Sequence, residues 1–161
     1  MKTVIIYDSY FGNTEKIART IGEGCGSDVR VLKAAEASEK DIAAASLLIV
    51  GSPTRGFRPT EGVTAFISSL SPDALREKYT AVFDTRIDVA NSKQPILRLF
   101  GRVFRYAAPA LAKGLEDKGG KLIAEPEGFY VNDTEGPLRE GEVERAKGWG
   151  MTLIKIAGSP E

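Results

Sequence analysis

The 161-residue chain has no histidine and a single cysteine, Cys25. These absences exclude Ser-His-Asp and Cys-His nucleophiles, histidine-held zinc, and Cys-ligated zinc or iron–sulfur clusters within one chain. An intramolecular disulfide is excluded as well. There is no excess of charge of either sign, with 22 Lys+Arg against 22 Asp+Glu, and that balance argues against a dedicated nucleic-acid binder. No run approaches the roughly eighteen apolar residues of a membrane span. Residues 4–7 are apolar, but Asp8 follows at once and no small-residue cleavage site appears, so the start reads as a strand and not a secretion signal. One thiol and no export signal lead to the expectation of a cytoplasmic protein. What is present is an ordinary globular balance, 42% hydrophobic and 27% charged. The length suits one domain over 1–161. With so few reactive side chains, any chemistry is simple or borrowed from a cofactor.

Short β-rich runs alternate with amphipathic stretches. Residues 4–7 form a continuous apolar run, as a strand buried on both faces does. Ile17, Ile21 and Cys25 then share one face of a helix over 14–24. Residues 29–32 read as a second strand. A short helix over 38–45 is opened by Ser38 and Asp41 at capping-box spacing. Residues 47–50 are a third strand, ended by Gly51-Ser52-Pro53. Val63, Phe66, Ile67 and Leu70 at i, i+3, i+4 and i+7 predict a helix over 60–70, and 80–83 a fourth strand. The pattern over 95–118 is helical, with a break expected at Pro109 and a stop at Gly119-Gly120. Residues 121–124 and 129–131, separated by Pro126, read as an interrupted fifth strand. Val143, Ala146, Trp149, Leu153 and Ile154 line a closing helix; Trp149, Phe129 and Tyr130 are expected in the core, and Cys25 is expected to be inert. Such alternation means βαβ units and a parallel sheet. Ligands then bind at the carboxyl ends of the strands, near the switch point of strand order. Those ends are residues 8–14, 51–59 and 84–95.

The first of these loops, Asp8-Ser9-Tyr10-Phe11-Gly12-Asn13-Thr14, offers two hydroxyls, a glycine for close backbone approach and the unpaired N–H groups of a helix start. Together they suit a phosphate. The loop has neither a Walker-type lysine nor GxGxxG. A plain helix cap at Asn13 and Thr14 is the alternative. The loop resembles the phosphate loop of the flavodoxin superfamily, [ST]-x-[ST]-G-x-T, which binds the terminal phosphate of FMN. Ser9, Gly12 and Thr14 match, while Phe11 replaces the middle hydroxyl and is similar to the S-x-[YF]-G of flavodoxin-fold NAD(P)H:quinone oxidoreductases.

The second loop, Gly51-Ser52-Pro53-Thr54-Arg55-Gly56-Phe57, resembles the G-[ST]-P-T-R segment that wraps the isoalloxazine ring in that branch. Otherwise it is a turn whose geometry Pro53 and Gly56 set. The third, Asp84-Thr85-Arg86-Ile87-Asp88, departs from the family. It has neither the G-x-G-D-x-x-Y of carrier flavodoxins nor the Gly-rich segment and histidine of the quinone oxidoreductases. Thr85 and Arg86 are expected at the ring because they stand at the strand end.

The resemblance implies a three-layer flavodoxin-like α/β sandwich with a five-stranded parallel sheet in order 2-1-3-4-5 and FMN at the switch point, the placement known for this fold. Ser9, Gly12, Asn13 and Thr14 would hold its phosphate, with Tyr10 and Phe11 of the same loop also at the cofactor. Pro53, Thr54, Arg55, Gly56 and Phe57, with Thr85 and Arg86, would frame its ring, and Asp84 beside them is also a cofactor-binding candidate. The implied function is electron transfer between redox partners, with no catalytic residue of the chain's own. The alternatives are an FMN-dependent NAD(P)H:quinone-type oxidoreductase and a flavin-free ligand- or protein-binding member. Partners would be redox proteins or a small acceptor such as a quinone. Over 95–107, Arg98, Arg102 and Arg105 share one helical face, which reads first as a solvated basic face over a buried apolar one; any exposed remainder of the wide apolar side would suit a homodimer surface or a floor for an aromatic substrate. Arg55, Arg58, Arg86 and these arginines would stabilise negative charge on a nearby flavin and raise its potential.

Overall fold

Val4, Ile5, Ile6 and Tyr7 are all buried, as the unbroken apolar run requires of a strand covered on both faces. In the computed structural model, which describes residues 1–89, Pro95 and 106–159, they belong to β1 (Thr3–Tyr7). Helix α1 (Asn13–Cys25) follows, then β2 (Val29–Lys33) and a 3₁₀ turn at Ala34–Glu36. Next come a one-turn helix α2 (Glu39–Ile42), β3 (Leu47–Pro53) and α3 (Glu61–Ser69). The described chain ends with β4 (Tyr79–Ile87), α4 (Ala107–Glu116), β5 (Lys121–Leu122), β6 (Glu127–Val131) and α5 (Glu142–Gly158). The sheet is parallel in order β2-β1-β3-β4-β5, with β6 also paired to β4. β5 and β6 thus share one edge position, the interrupted fifth strand expected around Pro126.

Two cores flank the sheet, one for each set of alternate strand residues. Val4, Ile6, Leu48, Val50 and Val82 pack against Val63, Phe66 and Ile67 of α3 and Leu111 and Leu115 of α4. Ile5, Tyr7, Ile49, Ala81 and Phe83 pack against Ile17 and Ile21 of α1 and Ala146 and Leu153 of α5. Phe83, Phe129 and Trp149 meet edge to face at centroid separations of 6.0 to 6.3 Å. Glycine governs two close approaches. A Cβ at Gly24 would lie 2.1 Å from Lys147 O, and one at Gly150 would lie 2.3 Å from Ile21 O, so α1 and α5 touch backbone to backbone. Cys25 is buried at that crossing, and burial pushes its thiol up to about 11, which keeps it protonated and unreactive at neutral pH.

Several expectations need correction. β4 runs on to Ile87, so Asp84, Thr85 and Arg86 lie in the strand and not in a loop after it; their pairing with Gly128, Phe129 and Tyr130 of β6 carries it there. Pro109 does not break α4 itself. It sits in the first turn of α4, where a missing N–H has no intrahelical acceptor to lose. The short helix spans only Glu39–Ile42, with the Asp41 carboxylate accepting the Ser38 N–H at 2.9 Å and its hydroxyl at 2.7 Å. Tyr130 is half-buried, its ring under the Arg139 guanidinium at 4.5 Å, and so is not core. The arginine face of Arg98, Arg102 and Arg105, and the 95–118 helix before Tyr106, lie outside the described residues.

Candidate functional site

The carboxyl ends of β1, β3 and β4 surround a cavity of about 380 Å³, where a parallel sheet with this strand order offers a ligand site. Three segments build it.

After β1 the chain turns through Gly12, whose φ of 88° puts it in the left-handed region that glycine tolerates. Its N–H donates to Ser9 Oγ at 3.0 Å. No side chain caps α1, and the first backbone bond of the helix runs from Lys16 N–H to Gly12 O at 3.0 Å. The N–H groups of Asn13, Thr14 and Glu15 therefore have no intrahelical acceptor, at the positive end of the helix dipole. Thr14 is buried, its hydroxyl 2.7 Å from that of Thr85. The Asn13 side chain donates to Glu135 O at 3.0 Å. It fixes the turn that brings Thr134 to the cavity.

After β3, Thr54 N–H bonds Thr85 O at 2.9 Å, and Arg55 and Arg58 exchange backbone bonds of 3.0 Å in each direction. Between them Gly56 and Phe57 take φ of 52° and 63°. Two left-handed residues in succession make the tight hairpin turn of the I′ kind, held by reciprocal bonds. The Arg55 guanidinium lies 4.6 Å from the Tyr10 ring centroid and 5.7 Å from that of Phe11, tying the second segment to the first.

At the end of β4, Asp84 is fully buried and does not line the cavity. Its carboxylate accepts two bonds from Arg86, at 2.5 and 2.9 Å, and a third from Ala108 N–H at 2.8 Å. Thr54 Oγ1 accepts from Ala107 N–H at 3.0 Å. A strand and a loop thus cap α4 from outside, in place of a local capping residue. Burial pushes the Asp84 carboxyl up from its ordinary value, against the opposing pull of Arg86. Arg86 faces the cavity with its guanidinium 3.8 Å from the Tyr106 centroid. A Cβ at Gly128 would fall 2.3 Å from its Cζ, so glycine there makes room for it.

Apart from Gly12 and Asp84, every residue singled out in the sequence for the cofactor lines this cavity. Sequence reasoning missed Ile87, Val89, Tyr106, Val131 and Thr134, which also line it. Of these only Tyr106 carried a local signal, an aromatic residue just ahead of a helix start. No cluster of three or more His, Cys, Asp or Glu among the described residues could hold a metal. The arrangement fits FMN on two counts. Orphaned helix N–H groups await an anion, and Phe11, Phe57, Ile87, Val89, Tyr106 and Val131 supply apolar walls for a flat ring.

Comparison with known proteins places the chain in a family. The family model for flavodoxin matches residues 5–149. A flavodoxin of Aquifex aeolicus (strain VF5) is 42% identical over 57 residues, covering 33% of this chain and 31% of that protein. Among solved structures, oxidised Flavodoxin 1 from Bacillus cereus superimposes with a TM-score of 0.74 at 20% identity, covering 96% of this chain and 98% of that one. The rubredoxin oxygen:oxidoreductase of Desulfovibrio gigas gives 0.71 at 23% identity, over 97% of this chain but 36% of that one. Both structural likenesses are of fold. None of the described helices is long and apolar enough to cross a membrane. The match to the family model over nearly the whole chain shows that it belongs to the flavodoxin family, whose members bind FMN.

Proposed function

We propose that this chain is a noncovalent FMN-binding carrier that passes electrons between redox partners. The observation behind the reading is the meeting, in one cavity, of the uncapped N-terminus of α1 with an apolar slot walled by Arg86. The backbone N–H groups of Asn13, Thr14 and Glu15, with the Ser9 and Thr14 hydroxyls, would hold the phosphate. Pro53 to Phe57, Thr85 and Tyr106 would frame the ring. FMN supplies one- and two-electron transfer when bound. The chain's own residues bind it, orient it and keep water from its face. The Arg86 guanidinium, fixed by Asp84 and Tyr106, presents a positive charge to the cavity. Beside a bound flavin that charge would favour the reduced form and raise the potential.

A titration of FMN with apo-protein, followed by flavin fluorescence, tests the reading. Stoichiometric quenching with sub-micromolar affinity is expected. Absence of quenching would replace it with a flavin-free ligand- or protein-binding member of the fold. The Ser9–Gly12 and Pro53–Arg55 segments also suit an FMN-dependent NAD(P)H:quinone-type oxidoreductase, a reading that predicts sustained NAD(P)H-to-quinone turnover by the loaded protein where a carrier shows none.

A further inference from the structure

Met1, Tyr10, Phe11, Ile87, Met151 and Ile156 are the large apolar side chains that stand exposed among the described residues. Tyr10, Phe11 and Ile87, at 57%, 47% and 40% exposure, all belong to the rim of the cofactor cavity. A rim of protruding aromatic and aliphatic groups excludes water when another surface closes over it. It does not by itself enclose a small molecule.

The charge at the same rim has a sign. Arg19, Arg30, Arg86, Arg139 and Arg145 each pair with a carboxylate. Arg55 and Arg58 have no carboxylate within ion-pair distance among the described residues. They face each other across the tight hairpin at Gly56 and Phe57, whose reciprocal 3.0 Å backbone bonds fix the direction in which both are offered. Arg55 is further held over Tyr10 and Phe11. Tyr10, Arg55 and Arg58 also line a second, more open groove that continues from the rim between α3 and α4. Glu61 is the only carboxylate among its described lining residues. Tyr and Arg on a rigid support are the residue types that dominate binding energy at protein interfaces.

We infer that the rim formed by Tyr10, Phe11, Arg55, Arg58 and Ile87 is the docking surface for an acidic redox protein, whose carboxylates meet Arg55 and Arg58 while its apolar contact area covers the aromatic rim. The inference rests on the carrier reading above. It names the sign of the partner's surface, which neither the fold nor the cofactor decides. Opposite charge steers the encounter and orients it, so that the partner's centre arrives at the cavity mouth.

Binding to two labelled probes, followed by fluorescence anisotropy, tests this without requiring flavin: an acidic [2Fe–2S] ferredoxin and a basic c-type cytochrome. The full chain, saturated with FMN and also without it, is expected to bind the ferredoxin more tightly than the cytochrome. That affinity should fall about tenfold between about 20 and about 200 mM salt, as the screening length shrinks below the size of the patch. Arg58→Glu should weaken ferredoxin binding about tenfold and Arg58→Gln about threefold, with cytochrome binding strengthened or unchanged. Equal or tighter binding of the cytochrome overturns the inference, and so does ferredoxin binding that neither salt nor the Arg58 substitutions alter. Displacement of the ferredoxin by millimolar inorganic phosphate marks a small-anion site and overturns it too. The exposed hairpin position of Arg58 lets both variants fold, which circular dichroism checks. FMN titration of the same samples tests the cofactor reading separately, since Arg58 does not line the cavity.

Discussion

Two arginine clusters stand on either side of Gly128 and are built from the same parts. In one, Arg86 stacks on Tyr106 at 3.8 Å and pairs with the fully buried Asp84. In the other, Arg145 lies 4.4 Å from the centroid of Phe129 and pairs with Glu142 at 2.6 Å and Glu127 at 2.9 Å. Gly128 serves both, leaving room for Arg86 where a Cβ would stand and accepting a bond from Arg145 on its carbonyl. The carboxylates differ in what the protein does to them. Burial opposes charge on Glu142, but bonds from Arg145 and from Tyr130 N–H at 2.7 Å outweigh it and hold the carboxyl below its usual range. At Asp84 burial wins and the pKa rises. Water accounts for much of the contrast, because the Arg145 side chain is 37% exposed and that of Arg86 is 13% exposed. The Arg145 cluster fastens β6 to α5. Its counterpart is an expensive arrangement that keeps a guanidinium on a cavity wall, and binding chemistry explains that better than stability does.

The largest expected difference between the two comes from deleting each carboxylate. Asp84→Ala strands a shielded Arg86 and leaves Ala108 N–H without its acceptor, a loss of about 3–5 kcal/mol in urea unfolding. Glu142→Ala should cost about 1–3 kcal/mol, because solvent reaches Arg145. Equal losses would erase the distinction. Next is Gly128→Ala, whose Cβ forces Arg86 aside at an expected cost of about 1–3 kcal/mol. FMN affinity should drop with it, while the Arg145 bond to the backbone carbonyl survives.

The two carboxyls should also give opposite pH signatures. The lowered pKa of Glu142 means that its stabilisation is present above the unfolded value of 4.5 and is lost as pH falls through the folded pKa. The deficit of Glu142→Gln should therefore shrink on acidification. The raised pKa of Asp84 means that its contribution is full below the unfolded value of 3.8 and declines as pH rises toward the folded pKa. The deficit of Asp84→Asn should shrink as pH rises. Denaturation curves of both variants against the parent, between acid and neutral pH, would expose parallel behaviour if the contrast is wrong. The smallest effect expected is on the flavin. Arg86→Gln should weaken reduced relative to oxidised FMN binding about tenfold, lowering the two-electron potential by about 30 mV. Arg145→Gln should leave the potential where it was, and spectroelectrochemical titration distinguishes the two.

Much of the fold was legible because its signals are local. Apolar runs marked β1 and β3, the spacing of Val63, Phe66, Ile67 and Leu70 marked α3, and Pro126 marked the gap between β5 and β6. The extension of β4 was not legible, since Asp84-Thr85-Arg86 looks like a polar loop until β6 pairs with it. Pro109 misled for a related reason: a proline breaks a helix interior but not its first turn, and only the caps from Thr54 and Asp84 show where that turn lies. The end of the cavity beside α1 could be read from Ser9, Gly12 and Thr14. Its opposite wall could not, because Tyr106, Val131 and Thr134 reach it from three different connections and share no spacing in the chain.

The backbone contact of α1 with α5 reaches beyond packing. Gly24 lies about three helical turns behind the end of α1 that would meet the phosphate. Through Gly24 and Gly150 the last helix of the described chain braces that end from the rear. A methyl group added at either glycine must lever the two helices apart and tilt the front of α1. A screen for weakened flavin affinity is therefore expected to return substitutions on the far side of the molecule, at small residues that never approach the cofactor.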